Sequence, residues 1–169
     1  MLYPNPDSQH PKISERAWIS ENAVIIGNVT IGDKVYVAHN VVIRADEPGS
    51  SIVIGDNCNV QDNVIVHGLS GSEVVIDNNT SLAHGCIVHG PCKLGHGCFV
   101  GFGAVVFDCD IGDDVVILHN STVRGVEIPS RRVVPDAMVL TDQESVGILD
   151  NICDDLETVS YTHLTLPTN

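Results

Sequence analysis

Aromatic side chains make up only 4% of this chain, and Lys and Arg together number 8 against 22 acids. A core must therefore be filled by small residues, chiefly Val and Ile, rather than by ring packing. The formal charge of −14 and the scatter of the few basic residues exclude a phosphate backbone as partner, because nucleic-acid affinity comes from clustered Lys and Arg. No run approaches the roughly 18 apolar residues of a membrane span. The start, MLYPNPDSQHPKISERAW, lacks a basic stretch followed by an apolar one, so no secretory signal is read and a cytoplasmic location is the expectation. There is no CxxC, which leaves the six cysteines without a thiolate metal spacing. With 43% apolar and 18% charged residues over 169 positions, the chain reads as one globular unit.

What the chain has instead is a period of six. Aliphatic residues recur at Ile19, Ile25, Ile31, Val37 and Ile43, at Ile54, Val60 and Val66, and at Ile76, Leu82, Val88, Leu94, Val100 and Val106. A further series runs Ile111, Ile117, Val123. Turn-tolerant residues often follow, as in Ile31-Gly32-Asp33 and Ile54-Gly55-Asp56. Period six is neither helical nor simple strand alternation. It predicts an all-β solenoid, a parallel β-helix of hexapeptide repeats in which three hexapeptides make one triangular coil of 18 residues, with about seven coils in all. Cys58, Cys86, Cys92, Cys98 and Cys109 each stand two places before an aliphatic repeat position. That slot also points inward and takes small side chains, so these cysteines are expected to be buried filler.

The repeat is interrupted twice, by five residues around Glu47-Pro48-Gly49-Ser50 and by four around Leu69-Ser70-Gly71-Ser72. Loops projecting from a rigid solenoid often carry function. The β-helix is expected over 1–140. Thr141-Asp142-Gln143-Glu144 then reads as a capping box, and Leu149, Ile152, Cys153 and Leu156 follow at helical spacing. An amphipathic C-terminal α-helix within 141–159 is predicted to pack on the solenoid. The last ten residues, 160–169 (SYTHLTLPTN), follow neither pattern and are read as a non-native tail.

Three histidines lie in this frame at defined places. Once the two insertions are subtracted, Arg44, His67 and His89 occupy one slot on three successive coils, about 4.8 Å apart. His84 sits on another face, in the slot that holds Asp62 one coil earlier, with Gln61 beside it. A single chain does not bring His84 to His67 and His89; a neighbouring copy does if the first face of one meets the second face of the next. Such a heterologous contact must close into a ring, and a three-sided prism closes most naturally as a homotrimer. Three imidazoles with one open position form the ligand set of a catalytic zinc, and Fe(II) or Co(II) would accept the same donors. His39, His96 and His119 are read as turn residues, and His10 and His163 as tail residues.

The stretches IRADEP (43–48), NVQDNVIVHGL (59–69), SLAHGCIVHGP (81–91), FVGFGAVVF (99–107) and VEIPSRRVVP (126–135) closely resemble the γ-class carbonic anhydrases. The resemblance covers roughly residues 10 to 158. It implies a left-handed coil and a homotrimer that hydrates CO₂ reversibly to bicarbonate by a metal-bound hydroxide at the subunit interfaces, with zinc, or iron when anaerobic. It places His67, His84 and His89 on the ligands, and Arg44 and Asp46 on a pair that bridges subunits and shapes the bicarbonate site. Gln61 falls on a residue that orients the metal-bound water, with Asn59, Asp62 and Glu47 around it. Glu47 is a candidate proton relay. The family's long acidic loop after the first histidine is here reduced to Leu69-Ser70-Gly71-Ser72, with Glu73 its only acid. Two other readings stay open: a γ-type assembly subunit without hydratase activity, and a hexapeptide acyltransferase, for whose coenzyme phosphates the chain offers little charge beyond Arg131 and Arg132.

Overall fold

The computed structural model describes residues 1–152, which form a parallel β-solenoid of seven or so coils. Inward positions stack in columns along three faces. Ile25, Ile43, Val66, Val88, Val106 and Val123 fill one, and each is fully buried. Val60, Leu82 and Val100 continue another, paired in register across Asn59–Val60, Ser81–Leu82 and Phe99–Val100. Leu82 alone removes enough apolar surface from water to stabilise the fold by roughly 1.5–3 kcal/mol. Two of the three faces run together into one sheet because strands Ile87–Leu94 and Val105–Ile111 continue around a corner. With the hexapeptide repeats, this architecture is the left-handed parallel β-helix.

The corners explain the residues that follow each aliphatic position. The Asp33 N–H donates to Asp56 Oδ1 on the next coil (2.8 Å), Asp56 N–H to Asn78 Oδ1 (2.6 Å) and His96 N–H to Asp113 Oδ1 (2.9 Å). Each acidic or amide side chain thus satisfies a backbone donor that the turn leaves over. At Gly55 a Cβ would stand 2.4 Å from Asn78 Oδ1 and 2.9 Å from Asn78 N, so only a bare backbone passes there. Asn40, Asn57, Asn63, Asn79 and Asn120 take the left-handed conformation at these turns, which asparagine tolerates better than most residues.

Cys58, Cys86, Cys92, Cys98 and Cys109 are buried and unbridged, in the inward slot expected of them. Burial pushes the thiols of Cys58, Cys86 and Cys98 up to about 12. The coil takes in the first residues as well: Leu2–Tyr3 pairs with Val24–Gly27, and Lys12–Ile13 with Val29–Ile31.

The end of the described chain departs from the predicted α-helix. Glu144–Ile148 is a short 3₁₀ helix, and Asp150–Asn151 pairs antiparallel with Arg132–Val134. The capping contact is made by Asp142, whose carboxylate accepts the Ser145 N–H (2.9 Å) and hydroxyl (2.8 Å), rather than by Thr141 and Glu144. Tertiary bonds override the helical period: Ile152 N–H donates to the Arg131 carbonyl (2.9 Å) and Arg132 Nη1 to the Leu149 carbonyl (3.0 Å). Leu149 and Ile152 are nevertheless buried. The remainder of the predicted helix, with Cys153 and Leu156, and the tail from 160 lie outside the described residues.

Candidate metal centre

Parallel pairing puts Arg44, His67 and His89 in direct register on three adjacent coils. The two imidazoles meet edge to face, with centroids 4.8 Å apart and His67 Nδ1 3.0 Å from His89 Nε2. Two nitrogens bound to one tetrahedral ion at 2.0–2.1 Å stand about 3.3 Å apart, so this pair needs little adjustment to share a cation. The other nitrogen of His89, Nδ1, lies 3.2 Å from the Gly90 carbonyl. With the ring proton on Nδ1, that bond leaves the Nε2 lone pair for a ligand.

Around His67 the charges are arranged closely. Arg44 Nη2 is 3.2 Å from His67 Nε2, and Arg44 Nε donates to Asp46 Oδ1 at 3.1 Å. Asp46 Oδ1 and Glu47 Oε1 lie 3.5 and 3.6 Å from His67 Nε2. Burial, reinforced by Arg44 and then His89, holds the His67 imidazole below its ordinary value against the opposing pull of Asp46 and Glu47. A neutral imidazole is the form a metal requires.

The second group stands at a different corner. His84 Nδ1 is 3.2 Å from Asp62 Oδ2, while the other oxygen of Asp62 accepts the His39 N–H at 3.1 Å. A carboxylate anchored to backbone and paired with Nδ1 orients the ring and directs Nε2 outward. Gln61 Nε2 donates to Asn59 Oδ1 at 2.7 Å. The chain therefore carries two separate groups of candidate residues: Arg44, Asp46, Glu47, His67 and His89 in one, and Asn59, Gln61, Asp62 and His84 in the other. Among the described residues of a single chain, no three His, Cys, Asp or Glu side chains gather into a set that could hold a metal ion. The donor chemistry fits a divalent metal: imidazoles, each with its second nitrogen or its flank held by a fixed partner.

Three participants went unread in the sequence. Phe102 lies 5.5 Å from the His84 ring and Phe107 5.1 Å from His89, each one coil beyond its histidine. The coil spacing could have found both. Ser70 donates its N–H to Glu47 Oε2 at 2.8 Å, a backbone contact with no residue-type signature. Glu73, the one acid of the shortened second loop, accepts the Ser51 hydroxyl at 3.3 Å. His39 and His119 do corner work. His39 Nδ1 lies 2.8 Å from the Ser20 hydroxyl, and His119 Nδ1 accepts the Phe102 N–H at 3.0 Å.

A family model described as bacterial transferase hexapeptide (six repeats) matches residues 10–45. The carbonic anhydrase of Methanosarcina thermophila is 38% identical over 94% of this chain and 70% of its own length. The carboxysome assembly protein CcmM of a Nostoc species is 34% identical over 83% of this chain, which spans about a quarter (27%) of that protein. Among solved structures, a hexapeptide transferase family protein from Anaplasma phagocytophilum superposes with a TM-score of 0.76 at 26% identity, covering 97% of this chain and 94% of the other. Identity of this extent, over a register that stacks Arg44, His67 and His89, settles the kinship: the chain belongs to the γ-class carbonic anhydrase family.

Proposed function

We propose that this protein is a carbonic anhydrase that converts CO₂ and water to bicarbonate and a proton at metal sites shared between the subunits of a homotrimer. The observation that carries the reading is the pairing of His67 and His89 at 3.0 Å on one face, with His84 oriented by Asp62 on another. Beside the first half-site runs an outward aliphatic column, Val42, Ile65 and Ile87, in which Ile65 is 39% exposed. A neighbouring subunit that brings its Asp62–His84 corner here covers that column as it completes the ligand set.

His67 and His89 of one chain and His84 of the next would hold zinc, with Fe(II) or Co(II) the alternatives. The bound ion supplies the Lewis acidity that makes a water molecule give up its proton near neutral pH. The protein groups do the rest. Asn59 fixes the Gln61 amide, which orients the attacking oxygen. Asp46 holds the Arg44 guanidinium so that its charge offsets the negative charge gathering on the product carboxylate. Glu47 accepts the proton leaving the site and passes it to buffer.

Metal analysis of the purified oligomer tests this, with stopped-flow CO₂ hydration on the zinc- and iron-loaded protein. Expected are one metal per chain and measurable hydration in the parent, and loss of both in His84→Ala. One tightly held metal per chain in that variant would rule out the cross-subunit site. A second reading rests on the likeness to the CcmM proteins: the same scaffold and metal serving as an assembly subunit. Metal-loaded trimer without hydration would favour it. An acyltransferase is less well served, since Arg132 is already committed to the Leu149 carbonyl.

A further inference from the structure

The two insertions have the same turn. In Glu47-Pro48-Gly49-Ser50 the Ser50 N–H returns to the Glu47 carbonyl at 3.1 Å, and Gly49 has φ +70°. In Leu69-Ser70-Gly71-Ser72 the Ser72 N–H returns to the Leu69 carbonyl at 3.0 Å, and Gly71 has φ +67°. Both have the positive φ at the third position that marks a type II turn, whose second position favours proline. The turns stack: a Cβ on Gly49 would be 3.5 Å from Gly71 Cα. Where the upper turn carries Pro48, without an N–H, the lower carries Ser70, with one.

That N–H is aimed at a functional carboxylate. Ser70 N donates to Glu47 Oε2 at 2.8 Å while Glu47 Oε1 stays 3.6 Å from His67 Nε2. The Ser70 hydroxyl and the Gly71 N–H both hold the Pro48 carbonyl, at 3.0 and 2.9 Å. The lower turn therefore grips the upper at three points, and one of them ends on the acid that faces the half-site. Glu73, the one acid of the lower loop, accepts a bond from the Ser51 hydroxyl.

We infer that Ser70 is a positioning residue for proton transfer, its backbone N–H holding the Glu47 carboxylate at the mouth of the metal centre. This rests on the carbonic anhydrase reading above. Ser70→Pro removes the donor and keeps the turn that Pro48 already makes one coil earlier. Ser70→Ala keeps the donor and removes only the hydroxyl.

Two measurements test the inference. In the metal-loaded oligomer at low buffer, Ser70→Pro is expected to lower kcat about fivefold or more while kcat/KM stays within twofold, and imidazole buffer restores kcat. Ser70→Ala retains at least half of kcat. In the metal-free protein, amide exchange at Ser70 is expected to quicken severalfold in Glu47→Ala, with the Gly71 amide, bonded to Pro48, as the unmoved reference. Ser70→Pro with parental kcat at low buffer, or with kcat and kcat/KM falling together beyond the reach of imidazole, would overturn the positioning role. An unchanged Ser70 exchange rate in Glu47→Ala would overturn the contact itself. A parent protein without hydration removes the carbonic anhydrase reading, and the proton role goes with it, whatever the exchange rates are.

Discussion

Replacing Asp62 by Asn changes one atom and should invert a tautomer. Asp62 Oδ1 accepts the His39 N–H at 3.1 Å, and Oδ2 pairs with His84 Nδ1 at 3.2 Å. Asn keeps an oxygen for His39 but presents an NH₂ to His84. The ring must then accept at Nδ1 and carry its proton on Nε2, the nitrogen that faces outward to a metal. Loss of such an orienting partner costs about 10–100-fold in metal affinity. With the His84 side chain 52% exposed and that of Asp62 39%, water competes for both groups, which argues for the lower end. The expected loss is roughly tenfold, or about 1.4 kcal/mol. Competition for zinc with a chromophoric chelator measures it. Because the bond from His39 survives, the melting temperature of metal-free Asp62→Asn should fall by no more than roughly 2 °C. Parental zinc affinity in Asp62→Asn would refute the tautomer argument. So would an equal loss of affinity and of metal-free stability, since that would make Asp62 a scaffold residue only.

Other outcomes follow from the core. Leu82→Ala empties a fully buried position between Val60 and Val100 and should cost about 2–5 kcal/mol. A calorimetric loss below about 1 kcal/mol would mean that the coils collapse around the gap. The thiols of Cys58, Cys86 and Cys98, pushed to about 12 by burial, leave only roughly one thiolate in ten thousand at pH 8. Iodoacetamide followed by mass spectrometry should find all three unmodified until denaturant is added; rapid labelling of the native protein would contradict the inward placement.

Register was legible because it is arithmetic. Two insertions of known length between Ile43 and Ile76 put Arg44, His67 and His89 on one line, and the strands pair that way. The burial of five cysteines followed from the same count. What counting cannot supply is rotamer and backbone direction. Nothing in the spacing says that His67 turns Nδ1 toward His89, that Glu73 faces Ser51, or that an amide in a short loop seizes Glu47. Over residues 144–152 the predicted helix gives way for a related reason. Leu149 and Ile152 are spaced for a helix, but bonds to Arg131 and Arg132, more than a dozen residues earlier, draw the chain out into a strand. Local periodicity is blind to such distant partners.

Because each coil rests only on the coils above and below it, a corner can lengthen or shorten without disturbing the columns beneath. His67 and His89 sit on strands whose alignment tolerates no slippage, whereas Glu47, the proposed proton acceptor, sits on an outgrowth free to vary. Trimming such a loop would then retune the proposed turnover, or silence it, while the two strand-borne imidazoles stay in place, so that catalytic and purely architectural descendants can share one scaffold.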